Sequence, residues 1–90
     1  MKVSTNELAV INLLVQVDND GQARTFPINE LQTAMDVFNE IKKLVKEDKF
    51  TDWDITFSTE QKAFILKLME DRKFNVIDAE AVFSLKEKIQ

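Results

Sequence analysis

Across its 90 residues this chain has one glycine, Gly21, and one proline, Pro27. Those residue types punctuate turns: glycine supplies positive φ without steric cost, and proline pre-sets the first turn position. Sandwiches and barrels need them every few residues, so a chain with one of each is built from longer elements joined by short polar loops. Helices meet that description. The 44% hydrophobic content is enough for a core, and 31% charged residues suit a folded surface rather than a disordered chain. Ninety residues make a single domain, 1–90.

Local signals place four helices. Ser4-Thr5-Asn6-Glu7 has the spacing of a capping box, and eight of the ten residues that follow, 8–17, are apolar. The exceptions, Asn12 and Gln16, form with Thr5 and Asn19 one narrow polar stripe at helical spacing. Residues 13–26 also read as a β-hairpin closed at Asp18-Asn19-Asp20-Gly21, which keeps an α+β alternative open. The second helix is expected over 29–48. Pro27 pre-sets its entry, Asn29 and Gln32 offer a cap, and Leu31, Ala34, Met35, Phe38, Ile41, Leu44 and Val45 recur at three- and four-residue steps.

Between 49 and 57 the period changes. Trp53, Ile55 and Phe57 alternate with Asp54 and Thr56, which predicts a short extended element near 53–57. Ser58-Thr59-Glu60-Gln61 is a second capping-box spacing and opens a third helix, with Phe64, Ile65, Leu68 and Met69 on its apolar face. The fourth runs from Val76 or Asp78 to Ile89, with Val82, Leu85 and Ile89 together on one side. The expected fold is therefore mainly α: a compact bundle of about four helices with one short extended piece.

Chemistry is constrained by what is missing. There is no histidine, cysteine or tyrosine, so the commonest general acid–base, the thiol nucleophile and the usual transition-metal ligands are not in the set. Asp18-Asn19-Asp20-Gly21 fails both calcium-loop registers. Counting from Asp18 puts Ala23 at the sixth position and Asn29 at the twelfth; taking Gly21 as the sixth puts Pro27 at the twelfth. It reads as a turn. Asp52 and Asp54 flank Trp53, but in an extended segment the tryptophan packs inward while they face water. None of the serines and threonines sits in a recognisable nucleophile elbow or phosphate loop. The chain is expected to be no enzyme and to hold no cofactor or metal; the remote alternative is a carboxylate-based enzyme, which a pocket converging two or more carboxylates would indicate.

Net charge is −4, and each half carries −2, so no basic arm or acidic tail marks a nucleic-acid or membrane partner. Lys42, Lys43, Lys46 and Lys49 are interleaved with Glu40, Glu47 and Asp48, which reads as a solvated helix face. The apolar run at 8–17 is interrupted upstream by Glu7 and is too short to span a bilayer; a cytoplasmic protein is expected.

One feature points to a partner. The first helix is too apolar for an element with a solvated side. Leu66 lies about 200° around its helix from Phe64, and Phe83 stands away from Val82, Leu85 and Ile89. Surplus apolar surface marks an interface, so Leu8, Ile11, Val15, Leu66 and Phe83 are the candidate contact residues, for self-association or a protein partner. The competing reading makes the first helix central, wrapped by the other three.

Three stretches carry a resemblance. They are Asn6-Glu7-Leu8-Ala9-Val10-Ile11-Asn12-Leu13-Leu14, Phe57-Ser58-Thr59-Glu60-Gln61-Lys62 and Ala79-Glu80-Ala81-Val82-Phe83-Ser84-Leu85-Lys86. In texture the chain is similar to short proteins encoded by phages and prophages of Gram-positive bacteria, families of unknown function among them. The resemblance implies an accessory or assembly protein of a virus. It brings no site residues with it. Apart from the resemblance, the alternative function is an inhibitor or regulator docking on a host or viral enzyme, marked by an acidic surface beside an apolar patch.

Overall fold

The computed structural model describes residues 1–45 and 53–90. In chain order these form β1 (Lys2–Val3), α1 (Thr5–Gln16), α2 (Ile28–Val45), β2 (Trp53–Asp54), α3 (Thr59–Glu70), a single 3-10 turn (Val76–Asp78) and α4 (Ala79–Ile89). About two thirds of the described residues are helical, as a mainly-α bundle requires. The expected last turn of α2 at 46–48, the side chain of Val45, Lys46, Lys49 and Asp52 lie outside the described residues.

Both capping boxes form. Ser4 Oγ accepts from the Glu7 amide at 3.1 Å and Glu7 Oε1 accepts from the Ser4 amide at 2.9 Å. Ser58 and Gln61 repeat the exchange at 3.1 and 2.8 Å. Each box satisfies two backbone donors that a helix start leaves open. Ser58→Ala is expected to cost about 1 kcal/mol, the usual value for an exposed cap. A urea midpoint unchanged in that variant would show that the cap contributes nothing.

The first helix settles the competition over residues 13–26. α1 continues to Gln16, and the turn that follows is stitched into one isolated bridge, Val17 to Ala23, rather than a hairpin. Asp18 Oδ1 accepts from the amides of Asp20 and Gln22, both at 2.9 Å, and Gly21 takes φ +79°. That carboxylate is thus engaged by its own backbone. Asn19 reaches the loop after α3, donating to the Asp71 carbonyl at 2.8 Å and accepting from the Lys73 amide at 3.1 Å. Arg72 donates to the Val17 carbonyl, so the two loops are tied together.

α1 packs on all three other helices, and its Leu8, Val10, Ile11, Leu14 and Val15 are buried. The central-helix reading therefore holds. The expectation that Leu8, Ile11 and Val15 are interface residues is corrected: they are 6, 0 and 7% exposed and belong to the core. A helix surrounded on three sides buries a wider apolar face than one packed on a single side, which accounts for the composition.

α3 buries the expected Phe64, Ile65, Leu68 and Met69, and α4 the expected Val82, Leu85 and Ile89. α2 is turned from the expected face. Its buried line is Ala34, Val37 and Ile41, while Leu31 and Met35 are exposed and Phe38 and Leu44 half-buried. It also begins at Ile28, because the Pro27 carbonyl accepts from the amides of Glu30 and Leu31; Gln32 donates to Asp36 and makes no cap with Asn29.

The extended element is not an isolated strand. β2 pairs antiparallel with β1, Lys2 opposite Asp54 and Val3 opposite Trp53, and the Ile55 amide extends the ladder to the Met1 carbonyl. Alternation holds along it: Trp53, Ile55 and Phe57 are buried and Asp54 and Thr56 exposed.

Candidate interaction surfaces

α2 and α4 each pack against both α1 and α3. Each carries an apolar surface that the fold does not cover.

On α2 the surface is a stripe. Ile28, Leu31 and Met35 are 89, 44 and 51% exposed. At about 100° per residue they fall, with half-buried Phe38, within about 80° of arc, roughly 100° around from the core line. Lys42 continues the stripe, its ammonium 5.3 Å from the centre of the Phe38 ring. Lys43 pairs instead with Glu40 at 3.0 Å. Away from the stripe Glu30 accepts from Lys67 of α3 at 2.6 Å, which helps the buried line of Ala34, Val37 and Ile41 to set the roll of α2.

On α4 the surface is a groove against α1. The two helices run antiparallel, since Glu7 near the start of α1 meets Lys88 near the end of α4. Along their outer seam lies a cleft of about 530 Å³. Asn6, Ala9, Val10 and Leu13 line it from α1, and Phe74, Ile77, Asp78, Glu80, Ala81 and Ser84 line it from the other side. Val76 and Ile77, on the 3-10 turn at one end, are about nine-tenths exposed. The Asn75 side chain accepts from the Asp78 amide at 3.2 Å, so these two aliphatic side chains project from a capped turn rather than a free loop.

At the opposite end the floor is electrostatic. The Glu7 side chain is 4% exposed, and Oε1 takes the Lys88 ammonium at 2.7 Å and the Ser4 amide at 2.9 Å. Burial alone would raise the carboxyl pKa. The Lys88 ammonium, the Ser4 amide and the Ser84 and Ser4 hydroxyls together overcome that and hold it below its ordinary value. Glu7 is thus a fixed anion, the reverse of what a general acid at neutral pH requires.

Three carboxylates border the groove without converging. Glu7 is locked by Lys88, while Glu80 and Asp78 stand one turn and more from Ser84, about 6–9 Å along α4. The lining holds no lysine or arginine, so this end of the cleft is acidic. Among the described residues no three acidic side chains are grouped as a metal site.

Of the residues expected at an interface, the structure leaves only Phe83 on the surface. Leu8, Ile11 and Val15 are core, Leu66 is half-buried against the core, and Phe83 is 66% exposed on α4, outside the groove lining. Sequence reasoning missed Ile28, Leu31 and Met35 as surface, and Val76 and Ile77. The signal was present in both places: Ile28 begins a second i, i+3, i+7 series beside the core series, and two β-branched residues follow a capping asparagine. Asp54, expected beside a second carboxylate, takes the Met1 ammonium at 3.3 Å. No described helix is long and apolar enough to cross a membrane. Comparison of the chain with family models, curated proteins and solved structures finds no match.

Proposed function

We propose that this domain is a non-enzymatic interaction and assembly protein, an accessory component of phage or prophage origin acting in the cytoplasm, that works through apolar helix surface and associates with itself. One observation carries the reading: Ile28, Val76 and Ile77 stand 89–91% exposed on ordered helical elements of a domain that has no shortage of buried positions. Folding does not need these side chains at the surface, whereas an interface does. Carboxylates that do not converge, in a chain without histidine or cysteine, favour binding over chemistry. The acidic rim beside Ile77 also favours, as a second reading, an inhibitor that docks on a basic patch of an enzyme.

Light scattering coupled to size exclusion tests the first reading. The chain is expected to exceed monomer mass across the micromolar range. Monomer mass at every concentration removes self-association and leaves docking on a different protein.

A further inference from the structure

The two uncovered surfaces match one another. The α2 stripe from Ile28 to Phe38 is about 15 Å long, and the α1 side of the groove, from Ser4 to Leu13, about 14 Å. The stripe presents apolar side chains at the i, i+3, i+7 spacing by which a helix enters a groove, and the groove meets it with Ala9, Leu13, Phe74, Ile77 and Ala81 among polar neighbours. It ends on a cation, Lys42, that makes no ion pair with the described residues. The groove ends on two anions, Asp78 and Glu80, equally without one.

Resting on the self-association just proposed, we infer that the occupant of the α1/α4 groove is the α2 stripe of a second copy of this chain, joined head to tail. Charge sets the direction. Lys42 sits at the C-terminal end of α2 and the carboxylates at the N-terminal end of α4, so the incoming helix runs parallel to α1 and antiparallel to α4. That orientation also brings the negative end of one helix dipole to the positive end of the other. Stripe and groove are two different surfaces of the chain, so the contact is heterologous rather than self-complementary. Each added copy leaves one stripe and one groove open, and the assembly grows into a ring or a chain. Apolar contact supplies the affinity; the Lys42 and Glu80 charges choose register and partner.

Two surface variants separate this arrangement from a symmetric one. Met35→Glu removes the stripe and leaves the groove; Ile77→Asp removes the groove and leaves the stripe. Both positions are at least half exposed, and unchanged circular dichroism establishes that each variant folds. Wild type is expected to exceed dimer mass as concentration rises. Each variant alone is expected to associate at least tenfold more weakly, and an equimolar mixture to form a dimer and stop there, since one intact stripe meets one intact groove. A mixture that stays monomeric overturns the inference, as does Ile77→Asp retaining the wild-type mass; the latter indicates a symmetric stripe-to-stripe dimer and leaves self-association standing. A wild type that is monomeric throughout overturns both.

Discussion

Lys88→Met is expected to lower stability by about 2–3 kcal/mol at pH 7 and by clearly less at pH 4. The methionine keeps the apolar stem of the side chain and removes only the ammonium that faces Glu7 at 2.7 Å. Breaking a fully buried pair from one side costs about 3–5 kcal/mol; here the lysine is 37% exposed, and solvent screening reduces the figure. The pH dependence follows from the carboxylate. In the wild type its pKa is depressed on folding, so its stabilisation is present above the unfolded value and is lost as pH falls through the folded one. Without Lys88 the burial of Glu7 is opposed only by Ser4 and Ser84, its folded pKa rises, and protonation relieves the buried charge. The difference between variant and wild type therefore shrinks on acidification. Urea denaturation at the two pH values measures it, and an equal loss at both would mean that the pair is not what holds the Glu7 charge.

The second large effect separates two neighbours on α4. Leu85 is fully buried, and Leu85→Ala is expected to cost about 2–5 kcal/mol through lost transfer energy and the cavity left behind. Phe83, two residues earlier and 66% exposed, is expected to cost under about 1 kcal/mol when changed to alanine, although the larger side chain is removed. Stabilities of about 5–13 kcal/mol are usual for a chain of this length, so the first change consumes a substantial fraction and the second almost none. Thermal and urea unfolding of both variants decide it; comparable losses would place Phe83 in the core.

Most of the architecture is legible in the sequence because its determinants are local. The capping boxes at Ser4 and Ser58 require only four consecutive residues, and both form with the expected partners. Phe64, Ile65, Leu68 and Met69, and Val82, Leu85 and Ile89, are buried as their spacing demands. What the sequence obscures depends on neighbours distant along the chain. α2 carries two apolar series about 100° apart, and spacing alone does not say which faces inward. The pair between Glu30 and Lys67, 37 residues apart, helps to fix it. The strand at Lys2–Val3 is two residues long and has no pattern of its own; it exists because Trp53 and Asp54 are there to pair with it. Burial of Leu8, Ile11 and Val15 likewise follows from α1 being surrounded, a property of the packing. The candidate surfaces were the least legible part, because an exposed apolar residue and a core residue are the same letter at the same period.

The pair between Glu7 and Lys88 spans 81 residues, nearly the whole chain. On a ribosome adding roughly 5–20 residues per second, Lys88 follows Glu7 by about 4–16 s. Throughout that interval α1, the helix on which every other one packs, has neither the last helix of its enclosure nor the cation for its carboxylate. An emerging α1 therefore exposes Val10, Ile11 and Leu14 to whatever is nearby, and only the arrival of α4 closes both the apolar surface and the charge. Such a domain closes only when α4 has been made, rather than in stages, and α1 is vulnerable until then.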